Sequence, residues 1–154
     1  MDTVAALREH LLELLEGESA HLSLEAALRD FPAEQINTLV AGSPHTAWQL
    51  LEHIRIAQHD ILDFSINPDY KEMSWPDDYW PKVDGNESSW NESAKQIFAD
   101  LQAMRDLVAD ANTDLFAKIP HGSGQTILRE AMLVADHNSY HLGQLVLVRK
   151  MLEA

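Results

Sequence analysis

Trp90, Ala94, Ile97, Leu101, Met104, Val108 and Ala111 recur at alternating steps of four and three, the spacing that holds side chains on one face of an α-helix. A segment with that period cannot lie in a sheet, where every second residue shares a face. The same rhythm returns in Val4, Leu7, Leu11 and Leu14, in Ala47, Leu50, Ile54, Ala57, Ile61 and Phe64, and again from Ile127 to Leu152. Four long amphipathic segments and no run of strand period predict an all-α fold, a four-helix bundle.

Local signals set expected boundaries. Asp2 or Thr3 caps the first helix and Gly17 stops it. Ser23 opens a further piece that ends before Pro32, with a short helical turn after that proline. Ser43 as cap, with Pro44 in the first helical position, predicts a helix from Pro44 to Phe64. Ser89 and Glu92 stand in capping-box spacing before the next, and the last starts near Gln125 or Thr126 and reaches about Leu152. Between the second and third long helices, "INPDYKEMSWPDDYWPKVDGNES" (66–88) has three prolines and no period of either kind. A connection this long is expected to serve as a lid or contact surface, or to be a crossover pinned to the bundle by its aromatics. No repeat divides the 154 residues, so 1–154 reads as a single domain.

Charge narrows the partners. Lys and Arg number 11 against 25 Asp and Glu, and the resulting net charge of −14 repels phosphate backbones and anionic lipid. The expectation is a small-molecule substrate, with no nucleic acid and no membrane as partner. Absence of cysteine removes disulfides, thiolate metal sites and a cysteine nucleophile. The opening "MDTVAALREHLLELLEG" lacks the basic segment and apolar block of a secretory signal, which points to the cytoplasm.

Within "ADHNSYHLGQLV" (135–146), His137 and His141 lie four apart and in the sector of Ile127, Val134, Leu145 and Val148. Residues so spaced have Cβ atoms about 5–6 Å apart, close enough for two imidazoles to share one ion at about 2.0–2.1 Å. The alternative is a pair of polar core residues hydrogen-bonded to carbonyls. A third ligand is available in His53, at the edge of the apolar stripe of Leu50, Ala57 and Phe64. His59 and His10 point to solvent, His45 sits at a helix start, and His21 is uncommitted. His121, in the glycine-bearing loop before the last helix, either approaches the site or is merely exposed. Glu130, two turns before His137, and Asp60, two turns after His53, are candidates for orienting or acid–base roles, or simply for solvation.

The stretches "SPHTAWQLLEHIRIAQHDIL" and "REAMLVADHNSYHLGQLVLVRKML" resemble the DinB-like superfamily, which includes metal-dependent hydrolases and thiol-dependent transferases, and the likeness in helix pattern covers nearly the whole chain. The resemblance implies up-down-down-up order, a long crossover between helices 2 and 3, and a divalent metal site. By motif position its ligands are His53, His137 and His141, and none is replaced. Zinc or nickel suits three imidazoles equally. Members such as bacillithiol transferases and a mycothiol-dependent maleylpyruvate isomerase imply metal activation of a low-molecular-weight thiol. The competing expectation is a noncatalytic homodimer stabilised by a structural ion or a buried histidine cluster, with Trp75 and Trp80 at the subunit interface.

Overall fold

The computed structural model describes residues 2–17 and 20–154. Among these residues the chain forms five α-helices: α1 (Thr3–Glu16), α2 (Leu24–Leu28), α3 (Ala47–Ile66), α4 (Glu87–Ala109) and α5 (Ile127–Leu152). Short 3-10 turns lie at Ala33–Gln35, just after Pro32, and at Asp77–Tyr79. There is no strand among them, and one isolated bridge, Lys118 to Thr126, ties down the loop before α5. None of these helices is long and apolar enough to cross a membrane.

Three helix starts fall where expected. Asp2 accepts from Val4 N, Ser23 from Ala26 N and Thr126 from Arg129 N. Gly17 ends α1 at φ 71, in the left-handed region that favours glycine. Two starts differ. Thr46, not Ser43, caps α3: its hydroxyl accepts from Gln49 N while Gln49 Oε1 accepts from Thr46 N. That reciprocal box satisfies two donors, and the Ser43 hydroxyl is instead bonded to the backbone of His45 in the preceding turn. Asn86 caps α4 with Ser89 as its reciprocal partner; Glu92 accepts from the Ser88 hydroxyl instead. On α1 the buried pair is Leu11 and Leu15, with Leu14 exposed, because the step of four, not three, follows the helix's inner face there. Ala111 lies beyond the end of α4 and is exposed.

The core is divided. One apolar cluster joins Leu11 and Leu15 to Ile61, Leu62, Met104, Val108, Ala131 and Val134. A second joins Phe31 and Ile36 to Trp48, Leu51, Ile54, Trp90, Ile97, Leu145 and Val148. Between them lies a buried polar layer holding His53, Gln58, Asp100 and His141. Gln58 satisfies itself across the helices: its amide donates to Ile97 O at 2.7 Å, and its Oε1 accepts from Asn138 Nδ2 at 2.6 Å.

After α3 the crossover runs back along the helix it has left. Tyr70 meets Asp60, residues 79 and 80 meet His53, and Val83 O accepts from Trp48 Nε1 at 2.9 Å. Gly85 presses on the Trp48 ring so closely that a Cβ there would sit 2.4 Å from Trp48 Cδ2. This return path carries Tyr79 and Trp80 to the polar layer.

Candidate metal centre

His53 enters the polar layer from α3, and His137 and His141 enter from α5. His53 Nε2 lies 3.1 Å from His141 Nε2 and 3.1 Å from His137 Nε2. One nitrogen from each ring falls within 4.8 Å of the other two, and among the described residues this is the one group of three or more His, Cys, Asp or Glu so gathered. Two nitrogens on one tetrahedral zinc, at 2.0–2.1 Å each, stand about 3.3–3.4 Å apart. The observed separations are close to that.

The outer nitrogens decide what the inner ones present. His53 Nδ1–H donates to Tyr79 O at 2.7 Å, and His141 Nδ1–H donates to Gln144 Oε1 at 2.7 Å. A neutral imidazole has one N–H, so both Nε2 atoms then hold lone pairs that face each other at 3.1 Å. A cation between them removes the repulsion and satisfies both. His137 is less constrained. Its Nδ1 and the neighbouring Asn138 Oδ1 are both buried without a hydrogen-bond partner, although Asn138 is close enough to favour the protonated ring weakly.

Electrostatics agree with a lone-pair donor set. Burial, and then the charges of His141 and His53, depress the His137 pKa to about 4. Burial also lowers His53 and His141, against hydrogen bonds from Tyr79 and Gln144 that pull upward, with neighbouring histidines adding to the lowering. Near neutral pH the three rings are therefore unprotonated, as ligation requires.

Aromatic cover completes the site. Trp80 stacks on His53 with centroids 3.9 Å apart and planes 2° from parallel, and His45 stacks on Trp80 at 4.0 Å. A cavity of about 140 Å³ lined by His45, Leu50, Gln144, Leu147, Val148 and Met151 opens beside Gln144.

The DinB superfamily profile matches residues 18–145. The chain belongs to the DinB superfamily. No match emerges from the curated proteins or from the solved structures.

Other residues singled out in this DinB-superfamily sequence go elsewhere. Asp60 accepts from the hydroxyls of Tyr70 and Tyr79, Glu130 pairs with Arg129, and His121 donates to Phe64 O. All three line a separate, larger cavity. His59 pairs with Asp100 and His10 with Glu13, both rings largely exposed. Sequence reasoning missed Tyr79 and Gln144, left His45 without a role, and expected Trp80 at a subunit interface, whereas its half-buried ring stacks on His45 and His53. Gln144 was within reach, being one turn from His141 on the same face; nothing in the aperiodic 66–88 segment marks Tyr79 or aims the Trp80 ring at His53.

Proposed function

We propose that this protein is a metal-dependent enzyme in which His53, His137 and His141 hold one zinc or nickel ion that activates a thiol or a water for transfer or hydrolysis on a small molecule. The observation that carries the reading is the pair of Nε2 lone pairs facing each other at 3.1 Å with their outer nitrogens already committed. A divalent cation held there supplies Lewis acidity, and three protein ligands are the complement of a catalytic rather than a closed zinc site. The chain's own groups do the rest. Tyr79 O and Gln144 Oε1 hold two rings in the ligating tautomer, Trp80 keeps water off one face of His53, and the cavity beside Gln144 receives the apolar part of the substrate.

The scaffold belonging to this reading is one DinB-like four-helix bundle spanning the chain, with α1, α3, α4 and α5 in up-down-down-up order. The divided core supports the directions of the last three, since the N-terminal halves of α3 and α4 share one cluster with the C-terminal half of α5; for α1, Arg8 on the carbonyls of Val108 and Thr113 with Glu16 against Arg105 supports a course opposite to α4. The net charge of −14 supports a protein that takes neither nucleic acid nor membrane as partner.

A second reading, a noncatalytic homodimer whose ion only ties α3 to α5, keeps Trp75, 70% exposed, as its interface residue, with Val83, 75% exposed, in place of Trp80, whose ring is taken up by His45 and His53. One experiment separates the two. Protein purified without a histidine tag should carry one zinc or nickel per chain, lost in His141→Ala, and the loaded protein should turn over an electrophile with a low-molecular-weight thiol. Unchanged metal content in His141→Ala defeats both readings; an ion without thiol binding or turnover, in a protein of two-chain mass by light scattering, leaves the second.

A further inference from the structure

Asp60 and Glu130 each stand seven residues from a histidine of the cluster, about 10 Å along their helices. There they line a cavity of about 500 Å³, within the range of small-molecule sites, which the proposed chemistry does not use.

Its polar wall carries three carboxylates and two phenols beside the donors of Ser123, Gln125 and Arg129. Asp60 Oδ1 accepts from Tyr70 Oη at 2.9 Å and Oδ2 from Tyr79 Oη at 2.7 Å. Each phenol gives its only proton to Asp60, so its oxygen offers the cavity lone pairs alone. Burial, and after it the hydrogen bond to Asp60, raises both phenol pKas and keeps those protons in place. Glu130 is 2% exposed; Arg129 donates to its Oε1 at 2.8 Å, while Oε2 makes no hydrogen bond to any described residue. A carboxylate oxygen of so little exposed a residue, without a protein donor, is left to take one from a ligand in the cavity. Glu72 lines the same cavity, and neither it nor Asp60 is in a salt bridge among the described residues.

The ligand class follows from what these groups lack. An anion would meet three carboxylates and one arginine already engaged by Glu130. A compact metal ion needs ligands that converge, and among the described residues only the three histidines gather within 4.8 Å. A polyatomic cation with several N–H donors suits dispersed acceptors. Phe64 and Tyr70, edge to face with centroids 5.2 Å apart, add aromatic faces of the kind that attract such a cation.

We propose that this cavity binds a small organic cation bearing an ammonium or guanidinium group, whose N–H donors engage Glu130 Oε2 and the Asp60–Tyr70–Tyr79 cluster. The site stands without the metal reading, yet Tyr79 joins the two, holding His53 with its carbonyl and Asp60 with its hydroxyl.

Agmatine and putrescine, titrated calorimetrically into the full-length protein at low salt, test this. Saturable binding is expected, persisting after removal of metal with EDTA. It should weaken about tenfold or more in Asp60→Asn and measurably in Glu72→Gln. Glu72 is exposed, so its substitution leaves the fold intact. Failure of both amines to saturate at millimolar concentration, equal binding by acetate, or unchanged affinity in both variants overturns the proposal; loss of binding with EDTA alone shows instead that the amines bind at the histidines.

Discussion

Gln144 is a neutral amide at the edge of the site, yet it determines which nitrogen of His141 faces the other two histidines. Its Oε1 accepts Nδ1–H at 2.7 Å, and without that acceptor the ring is free to carry its proton on Nε2, where it blocks ligation. Gln144→Leu removes the acceptor and keeps the bulk. Metal affinity, read by competition with a chromogenic chelator, should fall about 10- to 100-fold, the range for lost orienting partners, and the urea midpoint of the metal-free protein should move little. Unchanged affinity would mean that His141 is oriented by packing alone. No side-chain change makes the same test at His53, because its partner is the Tyr79 carbonyl. This difference also explains what could be read from sequence. His137 and His141 announce themselves by falling on an apolar stripe, and Gln144, although missed, stands at a helical spacing that could have found it, whereas a backbone acceptor delivered by a distant loop leaves no residue-type signature.

Elements, by contrast, were legible in their middles and less so at their ends. Periodicity located α3 and α4, but competition among neighbouring caps set where they begin, and a reciprocal box outweighs a lone serine before proline. Thr46→Ala should therefore cost about 1 kcal/mol, while Ser43→Ala should stay within about 0.5 kcal/mol; equal losses in urea unfolding would count against the assigned cap. The 66–88 crossover was legible only as an irregularity. Its course is set by contacts without period: Tyr70 and Tyr79 on Asp60, Trp80 on His53, and the backbone around Gly85 on Trp48. Gly85 is the tightest of these. A methyl group there meets the Trp48 ring at 2.4–2.8 Å, so Gly85→Ala must displace either the loop or the indole. A loss of about 1–3 kcal/mol is expected. Weakened metal affinity should accompany it, because Trp80 and the Tyr79 carbonyl ride on the same segment. A destabilised variant with wild-type metal affinity would separate the crossover from the histidines.

For the molecule as a whole, placing a histidine layer between two apolar clusters makes stability depend on pH in a definite direction. Burial first, and then its histidine neighbours, takes His137 from the ordinary 6.5 to about 4, so the unfolded chain binds a proton there more readily than the native one does. Stability from this group is complete above pH 6.5 and is lost as pH falls toward 4. Between pH 7 and pH 5 the loss comes to about 2 kcal/mol for His137. His53 and His141, shifted in the same direction, add to it. Carboxylates titrate mostly below this window, so urea unfolding in EDTA should show wild-type protein weakening from pH 7 to pH 5 and His137→Gln weakening less. Bound metal adds a further dependence at lower pH, since an ion present at 100 times its dissociation constant contributes about 2.7 kcal/mol and protons displace it only where they reach the same nitrogens of the native rings. Zinc-loaded protein should therefore gain stability over the metal-free form at pH 7, keep much of that gain at pH 5, where the native His137 ring is still unprotonated, and lose it as pH falls below about 4. A metal increment that survives well below pH 4 would place the ion on ligands other than these imidazoles, because protonated rings offer it no lone pair.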